Sequence, residues 1–218
     1  MRYCHALIAG LVSIVILAGC GPKTYDLKFN PKEGEVYNYA TKVSGAANLE
    51  VDLAMKVAKV SGDQVVIETH YVDMKMNGQP IPGVDALKKV VMTNTQNRQG
   101  HVMSTDVSGA PEMLASQMKA QNSGTGVAYP DHPVKIGETW ASESNVQGQK
   151  MTVTYKLVKV DSVNGKEEAF LEATPTGGQV KASTPMTLTV DLATGMPLET
   201  KFDGEVAGKK VTVQMIRT

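Results

Sequence analysis

The chain has 218 residues, with 22 basic and 22 acidic side chains and a formal net charge of zero. That balance leaves no electrostatic footprint for nucleic acid, and no basic cluster suited to an anionic lipid surface. The two cysteines, Cys4 and Cys20, both fall in the first 20 residues, so the body of the chain has no disulfide framework and no free thiol.

The apolar run from Ala6 to Leu17 follows a single positive charge at Arg2. At 12 residues it is too short for a bilayer, which takes about 20, and suits a signal-peptide core. It ends in Leu17-Ala18-Gly19-Cys20, which resembles the lipobox of bacterial lipoproteins. The resemblance implies cleavage after Gly19 and acylation of Cys20. Residues 1–19 are then a lipoprotein signal peptide and 20–24 a lipidated tether. Gly21 stands where an aspartate would favour inner-membrane retention, which implies the periplasmic face of the outer membrane. A single acyl chain binds a membrane only marginally, whereas two or three anchor it stably.

The remaining chain reads as strand, turn, strand. Tyr25–Phe29 alternates apolar and polar residues, the period of a half-buried strand, and Asn30–Gly34 is a turn. Tyr37, Tyr39, Thr41 and Val43 alternate again. A long strand places Leu49, Val51, Leu53, Met55 and Val57 on one face, and Ser61-Gly62-Asp63 turns it into Gln64–Met76. Asn77–Gly83 is a loop with two prolines, which a central ladder does not accept. A hairpin is predicted around Gln96–Gly100. Pro111–Gln121 is the one helix candidate, with Met113, Leu114 and Met118 as its apolar stripe, ended by the cluster Asn122–Gly126. Tyr129–Pro133 is a rigid link.

Beyond the link the grammar restarts. Lys135-Ile136-Gly137-Glu138-Thr139-Trp140 echoes Lys32-Glu33-Gly34-Glu35-Val36-Tyr37, and Tyr155–Val160 echoes Met55–Val60. Asn164-Gly165 is a strong hairpin signal. A last hairpin around Ala193–Pro197 and a strand at Lys210–Arg217 close the chain. The spacing predicts one domain, 25–218, built from two similar β halves, 25–109 and 129–218, joined by the helix 111–121.

The blocks at Tyr25–Tyr37 and His132–Trp140 resemble a family of uncharacterised bacterial lipoproteins with no assigned activity. That resemblance therefore transfers no functional residue. A looser similarity links the hairpin Asp191–Leu198 to the curved half-barrels that carry lipoproteins across the periplasm. The expected fold is a curved, half-barrel-like antiparallel sheet with one connecting helix; a β-sandwich is the alternative.

Candidate chemistry is sparse. His70, His101 and His132 share no metal-ligand spacing with each other or with a cysteine, so no metal or cofactor is expected. No nucleophile elbow, P-loop or dinucleotide fingerprint is present. Asp131-His132 has the composition of half a catalytic pair, but its flanking prolines favour a rigid turn. Glu167-Glu168 flanks a hairpin and is expected to be solvated. The chain has 12 methionines and 3 phenylalanines, a ratio that suits either an adaptable apolar binding face or an irregular core. Trp140 and Tyr37 are expected as core anchors rather than a carbohydrate platform.

The sequence thus points to a non-enzymatic, membrane-anchored envelope lipoprotein that binds an apolar ligand or a protein partner. A structural or assembly lipoprotein with no small ligand is the alternative. A Cys20→Ser chain is expected to leave the membrane fraction or to remain unprocessed. Fractionation finding it still membrane-bound, with no acyl mass on the parent protein, contradicts this.

Overall fold

The structure is a computed structural model that describes residues 22–45, 47–122, 127–146, 149–177 and 180–218. The leader 1–19, Cys20 and most of the cluster Asn122–Gly126 lie outside the described residues.

One antiparallel sheet of 13 strands dominates the described residues. The first half contributes β2 (Val36–Ser44), β3 (Leu49–Ser61), β4 (Gln64–Met76), β6 (Val91–Gln96) and β7 (Val102–Ser108) as a meander in sequence order. The second contributes β9 (Thr139–Val146), β10 (Gln149–Val163), β11 (Lys166–Gly177), β13 (Met186–Asp191), β14 (Pro197–Val206) and β15 (Lys209–Arg217), again in order. The short β5 (Gln79–Pro80) pairs with β4, and β12 (Val180–Ala182) pairs with β14. The last strand joins the two meanders: β15 lies antiparallel to β2, with Met215 opposite Thr41 and Arg217 opposite Tyr39.

The sheet is mostly β, curved and not closed. Its free edges are β7 and β9. At one end these edges come close, and Ser142 Oγ lies 3.4 Å from His101 Nε2 across the seam. We call this end the base. A single sheet replaces the sandwich alternative, because every second residue of the long strands turns to one shared concave face.

The two meanders repeat their register. Tyr37 pairs with Met55 as Trp140 pairs with Tyr155, and Val57 pairs with Ile67 as Leu157 pairs with Leu171. The register shifts between Val57 and Lys59, and again between Leu157 and Lys159. Each bulge absorbs one residue, so Val57 and Val60, and likewise Leu157 and Val160, pack on the same core although three apart. The shared Lys-x-Gly-Glu turn has a mechanism too. Gly34 and Gly137 sit at φ +85° and +88°, a left-handed conformation that suits glycine. The following glutamate accepts a hydrogen bond from the lysine N–H three residues back, at 3.1 Å for Glu35 and 3.0 Å for Glu138.

The base is plugged by two crossing segments. Thr24–Tyr25 (β1) pairs antiparallel with Val134–Lys135 (β8). Only Tyr25 of the predicted strand Tyr25–Phe29 enters this ladder. Its alternation nonetheless holds, for Tyr25, Leu27 and Phe29 are buried while Asp26 and Lys28 are exposed. Phe29 N–H donates to Arg98 O and Asn30 N–H to Thr194 O, both at 2.7 Å, tying the segment to two hairpin tips. Tyr129 N–H donates to Gln99 O at 2.8 Å, which fastens the second segment. The main core forms where these segments meet the sheet, around Leu27, Tyr39, Val57, Leu157, Leu171 and Val190.

There are two helices among the described residues rather than one. A single turn, α1 (Val84–Leu87), follows the proline loop and buries Val84. The connecting helix, α2 (Glu112–Asn122), begins one residue after Pro111. Its inner face differs from the expected stripe: Met113 is 78% exposed, and Ala115 and Met118 pack instead on a small cluster of Val90, Met92 and Val107. So α2 covers the sheet near its β7 edge, while Leu53 and Tyr155 belong to the main core.

Gly195 illustrates how tightly the plug fits. It lies at φ +68°, and a Cβ there would sit 2.2 Å from Lys28 O. Gly165 at φ +78° has nothing within 4 Å of the same point. Gly195→Ala should therefore cost about 3 kcal/mol, from backbone strain plus overpacking, whereas Gly165→Ala should cost about 1 kcal/mol from strain alone. Equal losses in chemical denaturation would show that the plug yields freely.

Candidate functional site

Above the plug the curved sheet encloses a cavity of about 280 Å³. Its lining draws on strands far apart in the sheet, such as Met92 on β6 and Met186 on β13, which only curvature can bring together. The floor is Phe29, Tyr129 and Met196 from the plug and the β13–β14 turn. Five methionines line the space, at positions 55, 92, 186, 196 and 215. Met196 is buried, and Met55, Met186 and Met215 are half-buried. Away from the base, Val51, Val153 and Val213 on the concave face are only half-buried.

The floor is held by aromatic residues that place their polar ends on backbone. Tyr129 Oη donates to Gly195 O at 2.5 Å. Trp140 and Tyr155 stack at 5.6 Å between ring centroids, 11° from parallel. Trp140 Nε1 donates to Ala128 O at 2.8 Å, and Ala128 N–H donates to Tyr155 Oη at 3.4 Å. The stacked pair thus grips both backbone groups of one residue, Ala128, in the second crossing segment. Trp140 is accordingly a core anchor. Tyr37, its register counterpart, is half-buried, donates its hydroxyl to Glu35 Oε2 and lies 5.6 Å from the Arg217 guanidinium.

Burial pushes the phenols of Tyr39, Tyr129 and Tyr155 up, since an ionised ring would lose its hydration. They stay neutral at physiological pH. Among the described residues no acidic, basic or histidine side chain lines the cavity. Its polar wall consists of Thr69, Asn94, Gln96 and Thr200. Thr69 and Asn94 are among the few buried polar residues in the described part of the chain, and the Thr105 hydroxyl donates to Asn94 Oδ1 at 2.7 Å.

The sequence-nominated polar residues do not converge here. His132 is exposed and lies between two carboxylates, 2.8 Å from Asp131 Oδ1 and 3.1 Å from Glu138 Oε1. Its partners fix a surface turn beside β8. His70 lies half-buried in β4, paired with Ala54 and Val91, and His101 stands at the seam. Glu167 is exposed and meets Lys23 at 3.2 Å. Among the described residues no group of three or more His, Cys, Asp or Glu is arranged to hold a metal ion. No helix among them is long and apolar enough to cross a membrane. The cavity wall Thr69–Asn94–Gln96 was not nominated by the sequence. Its only signal was polar residues at inward positions of otherwise apolar alternation.

These features define a curved antiparallel half-barrel with an apolar interior cavity and an uncharged polar wall. The chain belongs to a family of unknown function, DUF6263, whose model matches residues 72–212. No curated protein matches it. Among solved structures it is similar to a DUF1329 family protein from Desulfovibrio piger, at 11% identity over 84% of this chain and 82% of that one, with a TM-score of 0.34. It is also similar to an outer membrane lipoprotein-sorting protein domain from Vibrio parahaemolyticus, at 13% identity over 84% and 82%, TM-score 0.32. A LolA superfamily protein from Nitrosomonas europaea aligns over 86% of each chain, at 9% identity and a TM-score of 0.24.

The His132 turn gives a pH prediction. Hydrogen bonds donated to Asp131 and then Glu138 raise the His132 pKa, so its contribution is present below about 6.5, the unfolded value, and fades as pH rises through the folded value. Asp131 is lowered chiefly by its bond to His132, and Glu138 by the Lys135 N–H and then His132. Their contributions are present above about 4 and fade as pH falls through the lowered values. The turn is thus held best between these limits. His132→Gln should flatten the loss of thermal stability between pH 6 and 8 by a small amount, because the group is exposed. An unchanged pH slope in the variant's melting curves counts against the arrangement.

Proposed function

We propose that this chain is a non-enzymatic envelope lipoprotein that holds an apolar ligand in the concave cavity of its half-barrel. The observation that carries this reading is the cavity itself: about 280 Å³ of space walled mainly by methionine, aromatic and branched aliphatic side chains in a sheet curved around it. That volume lies just below the roughly 300–1,000 Å³ of ligand sites, and apolar walls with a few polar groups are their usual chemistry. Methionine adapts its shape to a bound molecule better than branched side chains do. A filled core with an exposed apolar patch would instead favour the partner-binding or purely structural alternatives.

The membrane attachment is part of the proposal. Residues 1–19 act as the leader, Cys20 carries the acyl chains, 20–24 form the tether, and 25–218 fold as one domain of two related halves. Two facts support it. The register, bulges and glycine–glutamate turns recur in both meanders. The chain also enters the domain at the plugged base, through Thr24–Tyr25, so a tether there leaves the other end of the concave face unobstructed. We assign the protein to the periplasmic face of the outer membrane on the identity of Gly21.

Native mass spectrometry of protein purified from its own membrane is the test. The parent chain should carry an apolar molecule beyond its own acyl chains. Met186→Trp, which fills the cavity at an estimated overpacking cost of about 1–3 kcal/mol, should carry none. Met103→Trp, on a side chain 59% exposed outside the cavity, should retain it. An empty parent protein, or retention in the filled variant, overturns the reading.

A further inference from the structure

We propose that the ligand is an uncharged acyl ester, its carbonyl head set against the β4–β6 wall and its chain against the β11–β13 wall. This rests on the apolar-ligand reading above and goes further by specifying the head group.

The argument comes from comparing equivalent positions. In the first half, Ile67 pairs with Asn94, Thr69 with Met92 and Val65 with Gln96. In the second, Leu171 pairs with Leu188, Ala173 with Met186 and Ala169 with Val190. The same concave positions are therefore Thr69, Asn94 and Gln96 on one wall and Ala173, Leu188 and Val190 on the other. The fold accepts apolar residues at all three, as the second half demonstrates. A core with no polar task would gain from using them twice, because a polar group out of water needs a partner. Thr69 is 2% exposed and Asn94 9%, so this wall is buried.

The chemistry of the wall is specific. The Thr105 hydroxyl donates to Asn94 Oδ1 at 2.7 Å, which orients the amide and makes its NH₂ the donor group of this wall. The equivalent threonine of the second half, Thr200, pairs with Leu188, so no amide is oriented there. An oriented NH₂ calls for an acceptor on the ligand. Among the described residues no charged side chain lines the cavity to balance a carboxylate or phosphate. The ion pair Arg217–Asp191, at 3.6 Å, belongs to a separate polar pocket at the base with Glu35, Lys166 and Asn38. A buried ionised head would be uncompensated. An ester carbonyl accepts a hydrogen bond and carries no charge.

The full chain, as its cell processes it, is transferred from its membrane into amphipol and offered equimolar 1-monomyristoylglycerol and sodium myristate at pH 8.5. Native mass spectrometry reads the ratio of the two complexes. The glyceride complex should exceed the myristate complex by about tenfold, the discrimination expected of one buried hydrogen bond plus the exclusion of an unpaired charge. Asn94→Leu should bring the ratio to within about threefold while total occupancy is kept. If that variant does not fold, Thr69→Ala, the residue of the matching position, takes its place. Equal binding of the two probes by the parent chain overturns the ester assignment, because it means that the head lies outside in water. A preference unchanged in the variant overturns it as well. Both outcomes leave the apolar cavity standing. Failure of both probes to bind the parent chain overturns the cavity reading and the ester assignment together.

Discussion

The structure depends on covering one end of a curved sheet. A concave face of this size would flood unless something closed it, and the two crossing segments through Tyr25–Phe29 and Val127–Val134 do so. They bury Leu27, Phe29 and Tyr129 against the sheet, and their backbone bonds to Arg98, Gln99 and Thr194 pin two hairpin tips to one another. Tyr129 and Trp140 place their polar ends on backbone carbonyls, so the plug buries large rings without orphaning a donor. Everything above the plug follows: the sheet can stay curved, and the space it encloses can stay apolar.

The open seam is the second consequence. Two meanders joined through β15 and β2 make a sheet whose free edges, β7 and β9, approach each other without pairing through the described residues. An unpaired strand edge is a liability. Here the edges meet at the base through His101 and Ser142, and α2 packs beside β7, with Lys119 reaching Asp106 at 2.7 Å. That exposed ion pair adds little stability. The helix is held by Ala115 and Met118 on Val90, Met92 and Val107, a contact small enough to leave the main core independent of it.

The character of the interior is set by subtraction. Among the described residues no charged side chain lines the cavity, the phenols are neutral, and amide groups, those of Asn94 and Gln96, stand on one wall alone. The two walls come from matching positions of two similar meanders, so their difference is a local replacement on a common frame. Methionines on both walls and on the floor let the space adapt in shape while its polarity remains fixed.

Much of the fold was legible in the sequence, because period-two alternation and turn chemistry are local. Leu49–Val57, the Lys-x-Gly-Glu turns and the hairpins around Gln96–Gly100 and Ala193–Pro197 all announce themselves in a few residues, and so does the curved all-β class. The inner face of α2 was not, since Met113, Leu114 and Ala115 are adjacent in sequence and only the position of β7 decides which of them is covered. Nor did the alternation at Tyr25–Phe29 separate a ladder strand from a plug, because burial on one side gives both the same pattern. The candidate site was least legible. Thr69, Asn94 and Met186 are spread over 117 positions and become neighbours of one cavity only when the sheet curves. Strand and turn are written in neighbouring residues; which strands face each other across an empty space is set by the pairing of β15 with β2 and by the plug, and those are long-range contacts.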